Sequence, residues 1–186
     1  HGIELAVCDG CGLGSPSGNI IRENTIRENS GHGIYSGGSE VVIGDLDILD
    51  NTIRENSGGS GIYLQRVGGS MDTLKIGGNT IHSNGSYGIY AGTVDENSVV
   101  IEDNGVTDNS SAGVYLSGDS GGIVNSKVIL RGNDISDNAR EGLYISRVDD
   151  ESELEVIGNT IRNNGKSEEE EGEDYAGVYI NNVFNE

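Results

Sequence analysis

The sequence has one proline, one phenylalanine and no tryptophan, against 31 glycines in 186 residues. Glycine and asparagine in this quantity, with so little proline, are unlike a disordered linker and suit many tight turns between short strands. Few large side chains make a thin core. The 33% of hydrophobic residues together with the glycines (31/186, near 17%) still reaches the apolar share of an ordinary globular chain. Basic residues are scarce too, 11 against 31 acidic ones, for a formal net charge of −20. Phosphate recognition needs lysine and arginine, so nucleic acid and anionic membrane surfaces are poor partners. The imbalance suits solubility, a salty setting or divalent cations, and by itself marks a solvated surface. No apolar run reaches 18 residues, which leaves no candidate for a membrane-inserted helix. The chain opens on His1 and its only methionine is Met71, which reads as a processed mature form, a fragment or a recombinant piece.

Cysteine is also rare. Cys8 and Cys11 form one Cys-x-x-Cys with no further zinc ligands nearby and no βαβ pattern around it. A local or intermolecular disulfide, in an extracellular setting, and two idle thiols on a loop stay open as alternatives.

What the sequence does have is repetition. The phrase Asn-x-Ile-x-x-Asn, with Val for Ile once, begins at Asn24, Asn51, Asn79, Asn104, Asn133 and Asn159, in steps of 27, 28, 25, 29 and 26 residues. A period of this size marks a solenoid or an array. A second landmark, glycine then an aliphatic and usually tyrosine, recurs from Gly2-Ile3 through Gly33-Ile34-Tyr35 to Gly177-Val178-Tyr179. A third apolar run lies before each later phrase: Val41-Val42-Ile43, Leu74-Lys75-Ile76, Val99-Val100-Ile101, Val128-Ile129-Leu130 and Leu154 to Ile157. These runs are rich in Val, Ile and Tyr and show no 3.6-residue period, so they read as strands.

Three short strands per turn of about this length resemble the right-handed parallel β-helix repeats of pectate-lyase-like enzymes, alginate epimerases and many surface proteins. The resemblance covers nearly the whole chain. It implies one all-β domain over residues 1–186, a solenoid of about six to seven coils without a clear capping helix. It implies no single function, because this scaffold hosts lyases, epimerases, adhesins and inert rods. Equivalent residues of successive coils would then stack at a spacing of about 4.8 Å. Ile26, Ile53, Ile81, Val106, Ile135 and Ile161 become one inward ladder, and Ile34, Ile62, Ile89, Val114, Leu143 and Val178 another. The first asparagines, Asn24, Asn51, Asn79, Asn104, Asn133 and Asn159, become a structural ladder at a corner, bonding to bent backbone and to each other.

Strand alternation points Tyr35, Tyr63, Tyr90, Tyr115, Tyr144 and Tyr179 outward as a surface ladder, for association or for sugar rings. Arg27 and Arg54, with Glu28 and Glu55, are the only basic pair on adjacent coils that a uronate lyase would need, and the glutamates would repel a polyuronate. His32 reads as a turn residue. No catalytic residue is assigned, and the enzyme question stays open while leaning to no. Long loops fall near 8–18 and 165–174. The acidic run Glu168 to Asp174 is the one place for calcium, but it lacks the spacing of a dedicated calcium loop, and no other cofactor or metal is expected.

The expectation is therefore a non-catalytic extracellular or cell-surface β-helix. Its expected partners are copies of itself stacked head-to-tail into filaments, or the rest of a longer β-helix. A carbohydrate-active protein, of the polysaccharide lyase or epimerase kind or a binding module for extracellular polysaccharide, is the alternative.

Overall fold

The computed structural model describes residues 1–5, 18–37, 45–116, 122–149, 151–166 and 175–181, and only the backbone of 69–72. Within them the strands pair in parallel from coil to coil, and there is no helix. The phrase makes one six-stranded sheet in chain order: Thr25–Arg27, Thr52–Arg54, Thr80–His82, Gly105–Thr107, Asp134–Ser136 and Thr160–Arg162. Its register never slips: Ile26, Ile53, Ile81, Val106, Ile135 and Ile161 face one another in turn. From first phrase to last the chain completes five turns of a parallel β-solenoid.

The tyrosine strands form a second column from Ile3–Glu4 through Ile34–Ser36, Val114–Leu116 and Leu143–Ile145 to Val178–Ile180. Two coils depart from the expected three separate short strands. Ile62–Gly77 and Ile89–Glu102 run on through the bend into the third column, with a register shift between Gly68 and Asp72. The third column also differs from expectation at its start. Val41-Val42-Ile43 lies outside the described residues, and the strand in register with Leu74 and Ile76 is Leu46–Leu49, preceded by Asn19–Arg22. Asp47 breaks the apolar run in sequence. In the strand it merely points outward between buried Leu46 and Ile48, since successive side chains alternate faces.

Both aliphatic ladders face inward. Ile34, Ile53, Ile62, Ile76, Ile81, Ile89 and Ile101 are fully buried, each worth roughly 1.5–3 kcal/mol of transfer free energy. The ladders loosen at the last coil, where Ile161 is only partly covered and Val178 is 43% exposed.

Two corners per coil set the turn. The residue before each second asparagine has a left-handed backbone: Glu28, Glu55, Ser83, Asp108, Asp137 and Asn163. The same holds before each first asparagine, at Glu23, Asp50, Gly78, Asp103, Gly132 and Gly158. Such a backbone costs a non-glycine residue about 1–2 kcal/mol, so something must hold it. The asparagines do. Asn79 donates from its backbone N–H and from Nδ2 to Asn104 Oδ1, at 2.9 Å each, and from Nδ2 to the Ile48 carbonyl at 2.8 Å. Asn84 repeats this with Asn109 Oδ1 and the Ile53 carbonyl. The first-asparagine ladder runs unbroken from Asn24 to Asn159, and a second from Asn29 to Asn164.

Candidate functional site

The tyrosine strands fix the molecule's most regular surface feature. In Gly-Ile-Tyr the aliphatic side chain turns inward and the ring outward, so in-register pairing lays each ring over the last. Centroid separations from Tyr35 to Tyr179 are 5.7, 4.5, 5.4, 4.5 and 5.0 Å, with planes tilted by 24, 5, 10, 3 and 15°. The preceding glycine is needed for this. A Cβ on Gly61 would stand 2.5 Å from Ile81 Cγ2 and 2.8 Å from the Gly88 carbonyl.

Stacking changes what the ladder offers. Ring faces cover one another along the column, so edges and hydroxyls point to solvent. Tyr90, inside the column, is only 9% exposed, while Tyr179 at its end is 41% exposed. Sugar recognition by stacking uses an open ring face. Here that face exists only where the column stops.

A second row widens the face. Tyr87 lies against Tyr90 and Tyr115, at 5.4 and 4.8 Å. His32 packs against Tyr35 and Tyr63, and His1 stacks on Tyr35 at 4.1 Å. His32 is thus more than a turn residue. Its Nδ1 accepts the Ser60 N–H at 2.9 Å, which joins two coils. Burial holds its pKa below the ordinary histidine value, with the chain's positive amino terminus adding to the effect. Burial likewise pushes the Tyr87 and Tyr144 phenols up.

Ion pairs lie on the other outward columns. Arg27 pairs with its neighbour Glu28 at 2.6 Å, and Arg54 with Glu55. Lys75 and Arg131 close on Glu102 from the coils either side and hold its carboxyl below the usual range. Lys127 bridges Glu153 and Glu155 at 2.9 and 2.8 Å. Cys8, Cys11 and the acidic run 168–174 lie outside the described residues.

The description "Right handed beta helix region" matches residues 4–100, just over half of the chain. The chain belongs to the right-handed β-helix family. A second family, described as "Periplasmic copper-binding protein (NosD)", matches residues 76–186 and overlaps the first over 76–100. No curated protein and no solved structure matches.

On this β-helix the six expected tyrosines do come together, as do the six expected asparagines. Two features escaped sequence reasoning. One is the His1, His32 and Tyr87 row. Its signal was the residue immediately before the landmark glycine, which is aromatic three times. The other is the left-handed corner. Its signal was the Glu, Asp, Ser, Asn or Gly that precedes every asparagine of the phrase.

Proposed function

We propose that this β-helix is a non-catalytic structural or surface-assembly module acting outside the cytoplasm, in the envelope or at the cell surface, with copies of itself as partners in head-to-tail filaments. The carrying observation is where its recurring polar and aromatic side chains point. The asparagine carboxamides bond from coil to coil, and the tyrosine rings stack on each other. Arg27 and Lys127 are matched to carboxylates at short range, as are Lys75 and Arg131. The repeat therefore serves its own continuation. The match to a family described as periplasmic supports a place outside the cytoplasm.

The same description names copper, and the described residues do not fit it. Copper favours imidazole, thiolate and thioether ligands. No group of three or more His, Cys, Asp or Glu that could hold a metal occurs among the described residues. His1 and His32 each use Nδ1 to accept a backbone N–H from the following coil.

Electron microscopy and sedimentation at rising concentration, with and without calcium, test the proposal. Oligomers or filaments are expected, and a strict monomer throughout would contradict assembly. Unsaturated products from a panel of polyuronates would replace the non-catalytic reading with the lyase one.

A further inference from the structure

We infer that Asn104–Gly105 is a deamidation site that the fold keeps closed: it opens only when the chain unfolds, and a chain that has reacted there cannot rejoin the asparagine column. Asparagine followed by glycine suits this chemistry, because a residue without Cβ lets its backbone nitrogen approach the preceding side chain. The Gly105 nitrogen attacks Asn104 Cγ, its proton passes to the departing group, the Cγ–Nδ2 bond breaks and ammonia leaves. Water then opens the succinimide at either C–N bond, to aspartate or to isoaspartate. One water enters and one ammonia leaves, with no oxidant or reductant.

The chain has three such pairs, Asn84–Gly85, Asn104–Gly105 and Asn164–Gly165. The fold requires two of these glycines. A Cβ on Gly85 would run into the Ser57 carbonyl oxygen, and Gly165 has φ of +84°. Gly105 is different: a Cβ there meets nothing within 4 Å, and its backbone is not left-handed. At the same place in the sheet the other coils carry Thr25, Thr52, Thr80, Asp134 and Thr160. What glycine adds at 105 is reactivity, not fit.

In the folded protein both reacting groups are held. The Gly105 N–H donates to the Asn79 carbonyl at 2.9 Å. Asn104 Oδ1 accepts from the Asn79 N–H and Nδ2 at 2.9 Å each, and Asn104 Nδ2 donates to the Ile76 carbonyl at 2.9 Å and to Asn133 Oδ1 at 3.0 Å. Turning the carboxamide toward the Gly105 nitrogen breaks these bonds. After reaction, a carboxylate oxygen would face the same two acceptors at a position only 2% exposed, and a buried charge without a donor is costly. Isoaspartate also adds a backbone carbon ahead of Val106, which must stay in register with Ile81 and Ile135.

Peptide mapping by mass spectrometry tests this on the full chain, folded and in denaturant at one mildly alkaline pH. Asn104 should convert at least about 100-fold more slowly in the folded protein, because reaction waits for the column to open. On dilution from denaturant, chains deamidated at Asn104 should be missing from the refolded fraction. Gly105→Thr should melt at or above wild type, since threonine favours strands. In denaturant it should slow conversion of Asn104 by about tenfold or more, by keeping the backbone nitrogen away. Equal rates folded and unfolded, or deamidated Asn104 as common in the refolded fraction as in the whole sample, would overturn the inference. So would a Gly105→Thr chain that fails to fold, or one whose Asn104 still reacts at the wild-type rate in denaturant.

Discussion

From first to second asparagine the phrase always takes five steps, yet from tyrosine to the next phrase the chain takes 16, 16, 14, 18 and 15. The two regions differ in how their ends are held. The phrase lies between two buried asparagine columns, each with a left-handed residue before it. The other segment turns at a weaker corner, where the Asn97 N–H donates to Ser126 Oγ and the Ser126 N–H to Ser152 Oγ. There the buried side-chain carboxamide of Asn97 has no partner among the described residues. Where hydrogen bonds pin both corners, length is fixed. Where they do not, the solenoid tolerates insertion, as loops generally do.

The largest way to break this contrast is to remove a carboxamide from the middle of a column. Asn84→Leu strands the Asn56 N–H and the Ile53 carbonyl in the interior, and should lose about 3 kcal/mol or more in chemical denaturation. Asn24→Leu, at the exposed end, should lose about 1 kcal/mol or less. Equal losses would mean the columns carry no cumulative load.

Crowding at the glycine corner comes next. Gly61→Ala puts a methyl 2.5 Å from Ile81 Cγ2 and 3.0 Å from Asn84 Nδ2, for a loss of about 2–3 kcal/mol. Gly177→Ala meets only Ile161 Cγ2, at 3.7 Å, and should melt close to wild type.

The tyrosine column should respond less than the asparagines. Tyr115→Ala removes ring contacts at 5.4, 4.8 and 4.5 Å and should cost about 2 kcal/mol. Tyr179→Ala, with one ring neighbour, should cost about half of that.

A smaller, opposite effect is expected at a strained corner. Glu55 has φ of +56° and its side chain makes only an ion pair with Arg54, while its N–H bond to the His82 carbonyl would survive, so Glu55→Gly should stabilise by up to about 1 kcal/mol.

The smallest effect is in pH. The folded protein binds a proton at His32 less readily than the unfolded chain does, because burial disfavours the charged ring. Its contribution is therefore full above the unfolded value of 6.5, falls as pH drops below that, and levels once the folded group also titrates. Melts of wild type and His32→Phe at pH 7.5 and near pH 5 should diverge in that direction. Parallel curves would show that burial does not hold the His32 pKa down in the folded protein.

Sequence legibility follows the same division. The inward ladders, the asparagine columns and the tyrosine column were readable because one residue type recurs at a fixed place. The strand at Leu46–Leu49 was not, since its alternation hid behind Asp47 and a more apolar run stood nearby at 41–43. Ring stacking was half readable: the sequence placed the rings outward, but only coordinates show that their faces cover one another. His32 was missed because its role depends on Tyr35, Tyr63 and Ser60, from its own and the following coil.

The phrase asparagines hold the coils together by carboxamide bonds from one coil to the next. Amide hydrogen exchange at Asn51, Asn56, Asn79, Asn84, Asn104 and Asn109 tests it most directly, because each N–H donates to a carboxamide one coil away. Protection as strong as that of the strand amides of Ile76 and Ile101 is expected. Exchange at the rate of an open loop, with those strands still protected, would contradict it.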